Sequence, residues 1–210
     1  SGLVNSISAR HVLQEVLRKA IKQNRLSSKR VTLITVFRDP VARAMGGIFQ
    51  NKRAYLNKIL DGIDQNFDKA TDMVRAFMEE KNYLIDTANW QINFFQKELK
   101  QHWGVDILNA KELGSGSLLI EKKNKSCFFY TLENLNEQLP LQTKLKLKID
   151  IDLVHANRSN ERAEFERKLY EYCKNHIKLN KQLIRSIYEH PVLTKLYSQK
   201  QLSLFLNKWT

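Results

Sequence analysis

The fold is decided by residues 31–49, which read VTLITVFRDPVARAMGGIF. The first seven are almost all apolar or β-branched, which is typical of a buried strand covered on both faces in a parallel sheet. Pro40 cannot continue a strand and suits the first turn of a helix, and Asp39 before it is a good N-cap. The stretch therefore predicts a strand, a sharp turn and a helix that starts at Pro40.

Arg38 lies at the predicted carboxyl end of this strand, beside the N-terminus of the next helix. Unpaired N–H groups and the positive end of the helix dipole attract anions there, and ligands bind at the carboxyl ends of strands in open α/β sheets. Arg43, about one turn further on, adds a second positive charge. A phosphate site is the first functional hypothesis for this turn.

The chain has 210 residues and a formal net charge of +13, from 35 Lys and Arg against 22 Asp and Glu. This charge favours anionic partners, which include nucleic acid, anionic lipid headgroups, acidic polysaccharide and nucleotides. The basic residues are dispersed, and their densest cluster, at 121–125, lies in a predicted turn. Since no reading helix stands out, nucleic acid is not the expected partner.

The sequence also restricts the location of the protein. No apolar run approaches the ~20 residues of a membrane span, and no signal-peptide pattern is present. Cys127 and Cys173 have no metal-ligand spacing, so they are predicted to be free buried thiols of a reducing compartment. We therefore expect a cytoplasmic protein with no transmembrane segment and no metal site.

Helical periodicity surrounds the central stretch. It predicts helices over 8–23, 40–60, 68–81, 87–102, 164–177, 181–190 and 198–209. Gly104 is predicted to end the fourth of these and Pro191 to separate the last two. Inside the second, Gly46 and Gly47 indicate close packing or close approach of a ligand. The aromatic residues over 90–103, Trp90 included, are predicted to be core, with a ligand-facing role as the alternative.

Short β-like runs at 117–120 and 127–131 predict a hairpin, and 131–135 predicts a strand that passes into a helix. Residues 145–152 fit an edge strand or an ordered loop. The predicted fold class is α/β, with a small, mostly parallel sheet flanked by many helices. We expect a single domain over 1–210 with a helical C-terminal part from about 158.

Residues 33–43 resemble the 3′-phosphate-binding segment of sulfotransferases, which use 3′-phosphoadenosine-5′-phosphosulfate as co-substrate. In that family a strand ends in Arg-Asp-Pro or Arg-Asn-Pro, and a Ser lies eight residues after the Arg. The Arg and Ser hold the ribose 3′-phosphate. The resemblance implies that Arg38 binds this phosphate, that Gly46 stands at the Ser position without a hydroxyl, and that Arg43 or a backbone N–H compensates.

Shorter matches along the chain resemble one branch of these proteins, a bacterial capsular polysaccharide synthesis family with a sulfotransferase-like fold. They are Ile48-Phe49-Gln50-Asn51, Trp90 with Glu98-Leu99-Lys100, Gly104-Val105-Asp106, Leu132-Glu133-Asn134-Leu135, Tyr197-Ser198 and Asn207-Lys208-Trp209. The matches occur in order from about Val31 to Trp209. They imply a P-loop-type fold.

Sulfotransferases hold the 5′-phosphosulfate on a P-loop-like strand, loop and helix near the N-terminus. No Lys-x-Gly-x-Ser or Gly-x-x-x-x-Gly-Lys run occurs in these residues, and the sequence has only seven glycines. Gly114-Ser115-Gly116-Ser117 precedes a strand and lacks a following Lys, so it is predicted to be a turn. We expect an N-terminally incomplete domain, whose P-loop unit lies upstream of Ser1 or has been lost.

The resemblance implies transfer of a sulfuryl group from the nucleotide to a hydroxyl of a glycan, an anionic one included, or of another small acceptor. A non-catalytic module that binds a phosphate, a nucleotide or a partner is one alternative, and a basic helical nucleic-acid-binding protein is another. The candidates for a general base are His11, Glu98 and His102. None lies in a transferable motif, so no catalytic residue is assigned.

Overall fold

A computed structural model of the chain describes residues 31–51, 54–61, 66–80, 82–114, 116–148, 150 and 164–210. The fold is α/β, with a small four-stranded mixed sheet flanked by helices. The strands are β1 Val31–Phe37, β2 Lys111–Gly114, β3 Ser117–Lys122 and β4 Lys125–Thr131. The α-helices are α1 Pro40–Gln50, α2 Leu56–Ile59, α3 Phe67–Glu80, α4 Tyr83–Asn93, α5 Leu135–Gln142, α6 Glu164–His176, α7 Lys181–Tyr188, α8 Pro191–Leu196 and α9 Gln199–Trp209.

The strand order is β1-β4-β3-β2. Strand β1 runs parallel to β4, whereas β4 with β3 and β3 with β2 are antiparallel. The expected mostly parallel sheet is therefore wrong for the described residues, because β2, β3 and β4 follow one another through short turns. The predicted hairpin is confirmed as the β3–β4 pair, whose turn places Lys123 at φ +53°.

The described residues cover β1 on one face, whereas the sequence predicts a strand covered on both faces. Ile34 and Val36 are 38% and 40% exposed, while Phe37 is 2% exposed. Among the described residues β1 pairs with β4 alone, and alternate side chains point to opposite faces of the sheet. Within the described part of the chain, one face of β1 therefore packs on the helices, and Ile34 and Val36 on the other are partly exposed.

The larger core lies between one face of the sheet and the helices. Phe37 and α1 residues such as Val41 and Ile48 are buried in it, together with Cys127 and Cys173. Both cysteines are free and buried, as predicted, and burial raises the pKa of each thiol to about 11. A smaller apolar cluster of Leu119, Phe128, Tyr130 and Leu139 lies apart from this core.

The helix predicted over 40–60 is interrupted. It ends at Gln50, where the backbone N–H and the side-chain amide of Asn51 both donate to the carbonyl of Gly47. The short helix α2 follows. The side-chain amide of Asn51 thus competes for a carbonyl of the helix itself, which helps to end α1 at this point.

The helix predicted over 87–102 begins earlier, at Tyr83, and continues from α4 into π-helical turns over Phe94–Trp103. Gly104, at φ +65°, ends it as predicted. Another π-helical segment, Thr143–Leu147, replaces the edge strand or loop expected from 145 onward, and 151–152 lie outside the described residues. So does the helix predicted over 8–23.

The predicted C-terminal helices are confirmed as α6, α7 and α9, with bounds that differ by one or two residues. Pro191 separates the last two as predicted, and it also begins the short helix α8. The Nδ1 atom of His190 accepts a hydrogen bond from the backbone N–H of Val192, which caps α8. None of the helices in the described part of the chain combines the length and apolar character that a membrane span requires.

Candidate anion-binding site

In the turn between β1 and α1, the consecutive residues Arg38 and Asp39 lie in different environments: Asp39 is buried and Arg38 lines a cleft. Asp39 is 2% exposed, and its Oδ1 accepts a hydrogen bond from the backbone N–H of Val41 at 3.0 Å, so it is the predicted N-cap. Arg38 is only partly buried and lines a cleft. The sequence predicts that Asp39 caps the helix and that Arg38 ends the strand, but it does not predict that one is buried and the other lines a cleft.

The carboxylate of Asp39 is held from the C-terminal helices. The hydroxyl of Tyr188 donates to its Oδ1 at 2.7 Å, and Nε1 of Trp209 donates to its Oδ2 at 2.9 Å. Burial raises the pKa of Asp39, and its hydrogen bonds with Tyr188, Trp209 and Val41 oppose that rise. Asp39 therefore anchors α7 and α9 to the turn.

Glu133, in the turn after β4, extends this network. Its Oε1 accepts a hydrogen bond from the backbone N–H of Asp39 at 3.2 Å, and its Oε2 accepts one from the hydroxyl of Tyr197 at 3.0 Å. The N–H groups of Asp39 and Val41 are thus already bonded to the protein's own carboxylates. These two N–H groups are therefore occupied, whereas the guanidinium of Arg38 faces the cleft.

A cleft of about 700 Å³ opens beside α1. It is lined by Arg38, Arg43, Gly47, Gln50, Asn51, Tyr55, Tyr83, Asp86, Thr87 and Trp90. Trp90 is 37% exposed, so the prediction that it is core is wrong, whereas Phe95, Leu99 and Trp103 are buried. The guanidinium of Arg43 lies over the Trp90 ring, 4.4 Å from its centroid.

Gln91 is buried, with 3% of its surface exposed, and it forms hydrogen bonds with both arginines. With its amide oriented to satisfy both groups, its Nε2 donates to the backbone carbonyl of Arg38 at 3.1 Å. Its Oε1 then accepts from Nε and Nη1 of Arg43, each at 3.2 Å. Sequence reasoning missed Gln91. The available signal was an amide at helical spacing with the buried Ala88 and Phe95.

Gly46 lies against Arg38. A Cβ atom at Gly46 would be 3.3 Å from Nη1 of Arg38, and Nη2 of the same side chain donates to the hydroxyl of Tyr170 at 3.4 Å. At Gly47 a Cβ would be 2.7 Å from the hydroxyl oxygen of Tyr83. The two glycines therefore allow a guanidinium and a phenol to approach α1 closely.

The structure brings Arg38, Arg43 and Gly46 together, but it does not supply a base from the predicted candidates. His11 lies outside the described residues, as do the side chains of Glu98 and His102. Among the described residues that line the cleft, Asp86 is the carboxylate. Burial raises the pKa of the Tyr83 phenol at the same cleft.

The described residues of the glycine-rich sequence, Gly114, Gly116 and Ser117, connect two antiparallel strands, in agreement with the predicted turn. Gly114 ends β2 and Ser117 begins the antiparallel strand β3, with Gly116 at φ +67° between them. A Cβ at Gly116 would overlap Thr131 and Asn134. The side of Gly116 that a Cβ would occupy is therefore filled by these two side chains.

The chain matches no protein-family model, no curated protein and no solved structure. The geometry of the cleft is therefore the basis for a functional proposal.

Proposed function

We propose that the cleft binds the 3′-phosphate of 3′-phosphoadenosine-5′-phosphosulfate, and that the protein is a sulfotransferase-like enzyme of P-loop-type fold. It would transfer the sulfuryl group to a hydroxyl of a glycan or another small acceptor. Two observations carry the proposal: Arg38 and Arg43 line one cleft, and a Cβ atom added at Gly46 would lie 3.3 Å from Nη1 of Arg38. The resemblance implies that these two positions, eight residues apart in the sequence, lie at the same phosphate.

The charges and shapes in the cleft suit a phosphorylated nucleotide. A guanidinium presents a planar fork of N–H donors that matches two phosphate oxygens, and Arg38 and Arg43 supply two such groups. Trp90 offers an exposed aromatic ring beside them, on which a planar base stacks favourably. These groups bind and orient the nucleotide, and Arg38 has no role in bond breaking in this proposal.

The position of the cleft in the sheet supports the same function. Strands β1 and β4 are parallel, and Phe37 pairs with Thr131 at their carboxyl ends. Arg38 and Glu133 therefore leave the sheet at one edge, where α/β folds bind ligands. Sulfuryl transfer requires in-line geometry, cations at the transferring oxygens and a base for the acceptor proton. In this proposal the arginines anchor the nucleotide, which contributes to the in-line geometry.

Calorimetric titration with adenosine 3′,5′-bisphosphate tests the binding site. We expect Arg38→Ala to weaken binding about 100-fold, because it removes a charge-assisted contact to the phosphate. Adenosine 5′-monophosphate, which lacks the 3′-phosphate, should bind weakly to wild type and be insensitive to Arg38→Ala. The matched control is Arg75→Ala, which removes an exposed arginine of α3 that pairs with Asp72 at 3.0 Å.

Equal affinity of wild type and Arg38→Ala for the bisphosphate would refute the proposed site, as would no binding to wild type. The transfer step needs a separate assay, with a labelled sulfuryl group on the nucleotide and a glycan acceptor. Specific binding without transfer would support the non-catalytic binding module instead.

A further inference from the structure

Gln91 is a buried polar side chain that lies between the two arginines of the cleft. It belongs to α4, follows Trp90 directly and is 3% exposed. A primary amide has two N–H donors and one carbonyl acceptor, and each of them costs free energy when it is buried without a partner. A buried glutamine is therefore disfavoured unless hydrogen bonds offset that cost, and the partners of Gln91 are Arg38 and Arg43.

Two contacts from α4 restrict the guanidinium of Arg43. The Trp90 ring lies against it, with the ring centroid 4.4 Å from Cζ. The Oε1 atom of Gln91 accepts hydrogen bonds from Nε and Nη1 of Arg43, each at 3.2 Å. The ring limits where the guanidinium lies, and the amide limits its rotation.

The same amide connects Arg43 to the end of β1. Its Nε2 donates to the backbone carbonyl of Arg38 at 3.1 Å. Phe37, the residue before Arg38, is in register with Thr131 of β4, so the sheet holds the strand at this point. One buried side chain thus fixes the guanidinium of Arg43 relative to the strand end that carries Arg38.

Gln91 holds Arg43 without a charge of its own. A carboxylate in its place would accept the same hydrogen bonds, but its negative charge would oppose the attraction between Arg43 and an anion. The amide orients the guanidinium and adds no negative charge to the cleft, which suits an anionic ligand.

We propose that Gln91 is a positioning residue, which holds the guanidinium of Arg43 in place for the anion that Arg38 also binds. This inference rests on the proposed function and deepens it. An arginine that is ordered before the ligand arrives loses less rotamer freedom on binding, and this freedom corresponds to about a 2- to 13-fold change in affinity. Gln91 does not touch the ligand in this proposal and acts through Arg43.

A double-mutant cycle, measured by titration calorimetry with adenosine 3′,5′-bisphosphate, tests this role. It uses wild type, Gln91→Met, Arg43→Ala and the protein that carries both substitutions. Methionine is close to glutamine in volume and lacks the amide. We expect Gln91→Met to weaken binding about fivefold when Arg43 is present and less than about 1.5-fold when it is Ala, because the effect passes through the guanidinium.

Gln138→Met is the matched control. Gln138 is also buried, at 7% exposed, and its Oε1 accepts a hydrogen bond from Ser117 at 3.3 Å. It belongs to α5 and is not among the described residues that line the cleft. Both substitutions remove a buried amide, so both should lower the free energy of unfolding in urea. Only Gln91→Met should change the affinity for the bisphosphate.

Nuclear spin relaxation of arginine Nε–H groups tests the same role in wild type, where no substitution disturbs the fold. Without ligand, Nε of Arg43 should have an order parameter above about 0.8, and Nε of the exposed Arg75 one below about 0.6. Addition of the bisphosphate should leave the value for Arg43 nearly unchanged. An Arg43 as mobile as Arg75 in the free protein would overturn the inference.

These measurements distinguish the inference from the proposed function. If wild type binds the bisphosphate, unchanged affinity of Gln91→Met would overturn the positioning role and leave the proposed function intact. The same holds for an equal loss of affinity with and without Arg43, and for an equal loss in Gln138→Met. No binding to wild type would overturn both.

Discussion

Arg38 and Asp39 are neighbours in the chain and opposites in the structure. The carboxylate of Asp39 is buried and accepts hydrogen bonds from Val41, Tyr188 and Trp209. Arg38 is partly exposed, and its guanidinium faces a cleft and makes a long bond of 3.4 Å to Tyr170. One strand end thus supplies an internal anchor and, beside it, a cation that is open to a ligand.

The difference teaches that the two charges of an Arg-Asp-Pro turn have separable roles. A buried carboxylate needs hydrogen-bond donors from the protein, and here it receives them from helices near the C-terminus. A guanidinium at a cleft keeps capacity for an external anion. Through Asp39, the helices α7 and α9 are held at the turn that carries Arg38.

Replacing each residue of the pair by Ala is expected to separate stability from binding most clearly. Asp39→Ala leaves the buried donors of Tyr188 and Trp209 without an acceptor, so we expect a loss of about 3 to 5 kcal/mol in the free energy of unfolding. Arg38→Ala should lose less than about 1 kcal/mol, since its bond to Tyr170 is long. Urea unfolding followed by tryptophan fluorescence measures both.

The control for Asp39→Ala is Asp72→Ala, which removes an exposed carboxylate of α3 that pairs with Arg75. It should change the free energy of unfolding by less than about 0.5 kcal/mol. Similar losses for Asp39→Ala and Arg38→Ala would contradict the division of roles between the two residues.

The adjacent glycines of α1, Gly46 and Gly47, are expected to respond differently to replacement by Ala. In Gly46→Ala the Cβ would lie 3.3 Å from the flexible end of Arg38, so the gain in helix propensity should dominate and raise stability by about 0.5 kcal/mol. In Gly47→Ala the Cβ would lie 2.7 Å from Tyr83, whose ring packs against Tyr55 and Phe77. We expect a loss of about 1 to 2 kcal/mol.

Thermal and urea unfolding of the two variants give these values, and each variant serves as the control for the other. If Gly47→Ala were more stable than wild type, Tyr83 would move away from the added Cβ at little cost. The close approach of Tyr83 to α1 would then not contribute to the free energy of unfolding.

Asp39 is also expected to make the stability of the protein depend on pH. Burial raises its pKa above the ordinary value of 3.8, so the folded protein binds this proton more tightly than the unfolded chain does. Its contribution to stability is full below that ordinary value and is lost as the pH rises through the folded pKa. Wild type should therefore lose stability relative to Asp39→Asn, which cannot ionise, as the pH rises through this window.

Urea unfolding of both proteins at intervals between about pH 3.5 and pH 7 measures this difference, which corresponds to about 1.4 kcal/mol for each unit by which the pKa is raised. Parallel profiles would indicate that Asp39 has the same pKa in the folded and unfolded protein. Asp72→Asn, at an exposed position, is the control and should follow wild type.

Much of the local structure follows from the sequence. Pro40 and Asp39 predict where α1 begins, and Gly104 predicts where the segment after α4 ends. The prediction for Trp90 is wrong because a stripe of aromatic residues at helical spacing does not say which of them lies at the edge of the packed face. The prediction of an edge strand or loop at residues 145–147 is wrong for a related reason. Alternating Leu and Lys residues fit a strand as well as a short helical segment.

The sequence by itself determined the strand, turn and helix around Arg38, the β3–β4 hairpin, and the two buried free thiols. These features depend on side-chain periodicity, on cap chemistry and on hydrophobicity, which act over a few residues. The tertiary structure alone decided that Asp39 is held by Tyr188 and Trp209, 149 and 170 positions further along the chain. It also decided that Gln91 joins the two arginines. Such partners depend on how distant helices pack, and no local pattern records that packing.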